Sequence, residues 1–209
     1  MKIGILSEWD TDEAAYKILV ESILGRPVET MKSYRKRSGW AQAKALVRAI
    51  IRDLHFAGAD GFVFVGDSDS TPPHAASHDE LPNGFPGCRL CEIRQIVATA
   101  TQGLRERSGQ PRLKTAVGMA TPAIEAWLLS GLEANCTEAW FREEHTRGRL
   151  SDQTRRNLKI RKYGSLEASA DIKLQRTLEN AHRIADDLDG LELPFQFGFG
   201  HLRNDLEQW

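Results

Sequence analysis

The sequence predicts an α/β fold: a parallel-stranded sheet flanked by helices, with a helical C-terminal extension. Three observations carry that expectation. Strand-like and helix-like segments alternate over the first two thirds, one strand is apolar along its whole length, and strand signals fade beyond Gly131. A strand such as Gly61 to Gly66 (GFVFVG) needs cover on both faces, which parallel sheets receive from their crossover helices. Residues 1–131 are therefore expected to form the α/β part and 132–209 a helical extension packed on it.

The elements follow in order. Lys2 to Ser7 carries a four-residue apolar run that stops at acidic residues, the pattern of a strand with a functional carboxyl end. Thr11 offers an N-cap, and Ala15, Ile18, Leu19 and Ile23 recur at helical spacing until Gly25 and Pro27. Val28 to Met31 reads as a second, weaker strand, followed by a basic turn from Lys32 to Gly39. From Trp40, the positions Ala43, Val47, Ile50, Ile51 and Leu54 mark one face of a helix ending near Gly58. The Gly61–Gly66 strand then opens into a Pro- and Gly-rich connection, Asp67 to Gly87, long enough to suggest function or a clamp. A helix over Cys88 to about Arg107, a strand over Leu113 to Val117 and a helix over Thr121 to Leu129 complete the α/β part. Thr137 to Glu144, Ala170 to Leu188 and Phe195 to Leu206 favour helix, separated by the basic stretch Arg155 to Lys162.

Size and composition bound the function. A chain of 209 residues with 41% hydrophobic and 27% charged residues can bury one substantial core, which excludes collagen-like and disordered classes. The net charge of −1 excludes binding to nucleic acid by bulk charge and leaves local basic patches. Three cysteines, an odd number, argue against a disulfide framework. No stretch approaches the ~18 apolar residues of a membrane span, and the N-terminal run is too short for a signal peptide. A cytoplasmic protein with no membrane partner is the expectation.

Parallel strands bring their carboxyl ends to one edge, so Glu8, Asp67 and Asp69 should meet there. Oxygen ligands of this kind select hard Mg²⁺ or Mn²⁺. Glu8-Trp9-Asp10-Thr11-Asp12 resembles the E-G-x-T-D/E signature that opens the Toprim domain, with Trp9 standing where the signature has glycine. GFVFVGDSDS (Gly61 to Ser70) is similar to the Toprim strand that ends in DxD, at a Toprim-like separation. Pro122 to Leu129 (PAIEAWLL) resembles a helix common after the core of short bacterial Toprim-like proteins, often associated with anti-phage defence. The resemblance implies a Toprim-like fold and an OLD-type nuclease that cleaves nucleic-acid phosphodiesters with Mg²⁺ or Mn²⁺. It implies Asp67 and Asp69 as metal ligands, Glu8 as ligand or acid/base, and Asp12 as support for a second metal. Glu125, amid apolar neighbours, either faces the metals or pairs with an arginine. A partner protein such as a defence-system ATPase is also implied.

Two other readings stand beside this one. Asp67-Ser68-Asp69-Ser70-Thr71 also resembles the nucleophile loop of haloacid-dehalogenase-type phosphatases, in which Asp67 would attack phosphorus. That chemistry wants a late acidic pair after a strand, and the available Asp186-Asp187 follows a helix-like segment. The other is a catalytically silent Toprim-like interaction module of a defence complex.

His74-x3-His78 and Cys88-x2-Cys91 place four nitrogen and sulfur ligands in one 18-residue window, the donor set of tetrahedral Zn²⁺. A zinc clip would give the long connection the core it lacks. Two basic groups could meet phosphate: Lys32, Arg35, Lys36 and Arg37, and then Arg155, Arg156, Lys159, Arg161 and Lys162. Trp40 and Tyr163 lie near them in sequence as candidate base-stacking aromatics.

Overall fold

A computed structural model describes residues 1–31, 39–105 and 111–209. Among these, four parallel strands form one sheet, β1 (Lys2–Leu6), β2 (Glu29–Thr30), β3 (Gly61–Asp67) and β4 (Lys114–Ala120), in the order β2-β1-β3-β4. β1 runs beside β3 from Ile3 opposite Gly61 to Leu6 opposite Phe64. β3 runs beside β4 from Gly61 opposite Lys114 to Asp67 opposite Ala120.

Alternation along the strands divides the core into two layers. Phe62 and Phe64 point to one face, covered by α2 (Trp40–Phe56) through Val47, Ile50 and Ile51, and by α4 (Arg89–Gln102) through Leu90, Ile93 and Val97. Val63 and Val65 point to the other, covered by α1 (Asp10–Leu24), α8 (Ala170–Ala185) and α10 (Gly198–Glu207). α10 lies directly on β4, and Ile184, Phe195, Phe199 and Leu202 join Ile3, Val63 and Trp127 in one continuous cluster. The helices beyond residue 131, together with α1, thus supply one of the two walls of the sheet.

Several boundaries differ from the sequence expectation. α1 starts at Asp10, so Trp9 and not Thr11 is its N-cap, without a side-chain hydrogen bond. The connection after β3 contains the short helix α3 (Ala76–Asp79). α4 stops at Gln102, before Gly103, and β4 continues three residues past Val117. α5 covers only Ile124–Leu128, and α6 spans Glu138–Thr146. The basic stretch is itself a helix, α7 (Asp152–Tyr163), started by a Ser151/Thr154 capping box and ended by Gly164 in the left-handed region. The segment from Ala170 to Leu188 divides because Asp187 accepts from the Gly190 amide and starts a separate α9 (Leu188–Glu192). No helix is long and apolar enough to cross a membrane, among the described residues.

Candidate acidic cleft and His/Cys metal centre

In a sheet of this order the chain leaves β1 first toward β2 and returns to add β3 on the opposite side. The crevice at the carboxyl ends of β1 and β3 is the switch point where such sheets bind ligands. The acids gather there. Glu8, two residues beyond β1, is buried, and its Oε1 accepts from the Asp67 amide at 3.0 Å. Asp67 closes β3, and its Oδ1 accepts from the amide of Ile124, the first residue of α5, at 3.0 Å. Asp12 enters from the first turn of α1 and Glu125 from α5, and both line with Asp67 a cleft of ≈ 290 Å³.

Electrostatics at this edge are severe. Burial, then the charge of Glu125, pushes the Asp12 carboxyl up to about 7. Burial also raises Glu8, Glu125 and, well above the usual carboxylate range, Asp67. Glu125 is only 4% exposed, and its Oε2 has no hydrogen-bond partner among the described residues. Lost hydration and mutual repulsion both disfavour the anions, and a dication would reverse both effects. Among the described residues these carboxylate oxygens do not form a three-ligand group within 4.8 Å, so the all-oxygen donor set fits Mg²⁺ or Mn²⁺ as such ions usually bind, on one or two carboxylates with water completing the shell.

Asp69 takes a different position. Its backbone is left-handed (φ 52°), and its amide donates to Pro122 O at 2.8 Å. Its Oδ2 lies 2.7 Å from Arg89 Nη1, and its Oδ1 pairs with Arg155. Arg89 also sits 3.5 Å from Glu8 Oε1 and donates to Asp67 O at 2.7 Å. Glu8, Asp67 and Asp69 therefore meet around a guanidinium, with both Asp69 oxygens engaged by arginine. Arg89 did not stand out in the sequence. The one available signal for Arg89 was its place inside Cys88-x2-Cys91.

The second constellation assembles as its spacing predicts. His74, His78, Cys88 and Cys91 bring ligand atoms within 4.8 Å of one another, forming a possible metal-binding group. His74 Nδ1 is 3.5 Å from Cys88 Sγ and 3.4 Å from Cys91 Sγ. Zinc bonds of roughly 2.0–2.3 Å at the tetrahedral angle set ligand atoms about 3.4–3.8 Å apart, so this spacing fits. His78 Nδ1 is buried without a hydrogen-bond partner among the described residues. The far nitrogen of His74, Nε2, lies 3.2 Å from Asp79 Oδ2, a carboxylate that fixes the ring as the carboxylates behind metal-binding histidines do. Burial lowers both histidines, keeping them neutral as a metal requires, and pushes the Cys88 thiol up to about 12. Cys88 caps α4 and directly precedes Arg89, so this centre and the acidic cleft share a backbone junction.

The basic residues separate. Lys32, Arg35, Lys36 and Arg37 lie outside the described residues. On α7, Arg155 reaches Asp69 and Lys159 lines the acidic cleft, one helical turn apart. Lys162 is buried, donates to Arg176 O, and is pushed down to about 8 by burial. Arg161 pairs with Glu133 at 3.2 Å, and Arg156 is exposed. The cationic influences on Glu125 are Lys159 and Lys162, so the arginine alternative for that carboxylate is not the arrangement found. Trp40 packs edge-on against Phe64 and under Arg89, and Tyr163 is buried with its hydroxyl 3.3 Å from Thr177 Oγ1, so neither is placed to stack on a base. Asp186 and Asp187 follow a helix, as the C-cap of α8 and the N-cap of α9. Comparisons with protein families, curated proteins and solved structures find no match to this chain.

Proposed function

We propose that the protein is a Toprim-like, Mg²⁺- or Mn²⁺-dependent nuclease that cleaves a nucleic-acid phosphodiester, with a structural Zn²⁺ on His74, His78, Cys88 and Cys91. The observation that carries this reading is the gathering of buried Glu8 and Glu125 with half-buried Asp12 and Asp67 at one sheet edge, an oxygen of Glu125 being unpartnered among the described residues. Held as anions, four carboxyl groups there would destabilise the fold, and a bound cation offsets that cost. The cation would neutralise charge that builds on the phosphate during cleavage. Arg89, tied to Asp67 O and Asp69, fixes the floor of the site, and Lys159 and Lys173 are cations at its rim. All four histidine and cysteine ligands being protein-supplied makes the zinc centre closed, hence structural.

The test is cleavage of single- and double-stranded DNA, RNA and a small phosphomonoester, with Mg²⁺, Mn²⁺ or EDTA. Metal-dependent phosphodiester cleavage is expected, with Glu8→Gln and Asp67→Asn each losing about a thousandfold in rate. A Glu8→Gln variant that hydrolyses the phosphomonoester normally, beside an inactive Asp67→Asn, would instead establish the phosphatase. The engagement of both Asp69 oxygens by Arg89 and Arg155 favours one second reading, the silent interaction module. Wild-type protein that binds Mn²⁺ and cleaves nothing would establish it.

A further inference from the structure

We propose that the cleft above the acids is a single-nucleotide subsite, with Trp9 stacking on the base and Lys159 and Lys173 holding the phosphate. The inference rests on the cation reading above and names the unit of substrate that the site takes.

Trp9 is the starting observation. Its side chain is 50% exposed at the mouth of the cleft. It makes no ring contact among the described residues, whereas Trp40, Trp127 and Trp140 all pack against aromatic neighbours. Packing therefore does not explain it, and an exposed indole sacrifices apolar burial. Capping does not explain it either. Trp9 occupies the N-cap of α1, where Ser, Thr, Asp or Asn would satisfy an amide, and no side-chain cap bond is made. What an indole offers at a cleft mouth is a flat face for another ring.

The cleft is polarised from floor to rim. Asp12, Asp67 and the buried Glu125, whose Oε2 alone lacks a partner among the described residues, form the floor, while Lys159 from α7 and Lys173 from α8 form the rim. The complementary ligand carries a cation below, an anion between the lysines and a planar ring beside them. A nucleotide phosphate with its metal has this arrangement. The volume of ≈ 290 Å³ lies just below the roughly 300–1,000 Å³ of ligand pockets, which limits the occupant to about one nucleotide. Residues of α1, α5, α7 and α8 line it.

The experiment uses zinc-loaded full-length protein. Mn²⁺ titration of wild type and Asp67→Asn comes first and reports on the acidic site alone. Calorimetric titration with AMP then follows in Ca²⁺, with ribose 5-phosphate as the ring-less control. AMP should bind in Ca²⁺ and not in Ca²⁺-free buffer, and ribose 5-phosphate should bind at least about tenfold more weakly. Trp9→Ala should remove that difference and Trp9→Phe should restore most of it, because stacking survives in any aromatic ring. Equal binding of AMP and ribose 5-phosphate, or AMP binding unchanged in Trp9→Ala, overturns the inference. Absence of AMP binding beside normal Asp67-dependent Mn²⁺ binding also overturns it while leaving the cation reading standing. Loss of that Mn²⁺ dependence overturns both.

Discussion

Asp12 and Glu138 show two fates of a buried carboxyl group in this fold. Glu138 accepts from the Phe197 amide at 2.9 Å and the Gly198 amide at 2.6 Å, tying α6 to the start of α10. Glu138→Ala strands both donors and should cost about 2–4 kcal/mol of stability in denaturant titration, against a smaller loss for Glu138→Gln. Asp12 faces other acids instead, and its carboxyl is raised from 3.8 to about 7. Between about pH 4 and pH 7 the folded chain keeps a proton there that the unfolded chain releases, so this residue's contribution to stability falls as pH rises. Metal-free Asp12→Asn should match wild type in melting temperature near pH 4 and exceed it by several degrees at pH 8, and Mn²⁺ should abolish the gain. An equal gain at both pH values would sink the assignment. Glu8, Asp12 and Asp67 were legible in the sequence because each ends a strand or opens a helix. Arg89 and Glu138 were not, because their partners lie far away along the chain and no local pattern marks them.

The His/Cys centre is where an element takes its position from a cluster of side chains. Cys88 and Cys91 open α4, and Arg89 between them contacts Asp67 O, Asp69 and Glu8. The protein should carry about one zinc per chain by elemental analysis, and the Cys88→Ser, Cys91→Ser double variant should lose it. Protease should then cut between residues 67 and 88, and Mn²⁺ affinity at the acids should fall as Arg89 loses its anchor. Full zinc retention in the double variant would rule the ligand set out. A second element-scale test concerns α10. A Cβ at Gly198 would stand 2.0 Å from Met119 O on β4, so helix and strand approach backbone to backbone. Gly198→Ala should destabilise by about 3 kcal/mol or more, read as a lower denaturation midpoint. α7 escaped the sequence reading because it buries only Leu158, Lys162 and Tyr163, too few apolar positions for helical periodicity to register.

At the scale of the whole molecule, the last third is structurally indispensable to the sheet. Ala181, Ile184, Leu191, Phe195, Phe199, Leu202 and Leu206 pack with Ile3, Val63, Ala116 and Trp127 in a single cluster. A fragment ending at residue 131 would strip α8 and α10 from one face of the parallel sheet and leave α1 as its main cover, exposing most of β3 and β4 on that side to water. Residues 1–131 alone should therefore show no cooperative thermal unfolding by circular dichroism. A fragment that melts cooperatively would show that the first two thirds fold unaided. α7 and α8 also roof the acidic cleft, so the same truncation would open it.

The sequence by itself determined the α/β class, the parallel sheet and the pairing of four histidine and cysteine ligands in one window. Those features rest on local periodicity, strand order and short spacing, all of which a chain carries without knowing its fold. Only the tertiary structure decided which acids share the cleft, that Asp69 turns to Arg89 and Arg155, and which face of α7 meets the site. These depend on contacts across 20 to 90 residues, such as Arg89 to Asp67 and Arg155 to Asp69, and on which side of each helix the core claims. Trp9 belongs to both levels. The sequence marked it as the residue in place of a glycine, and the fold set it half in water at the mouth of an acid-floored cleft.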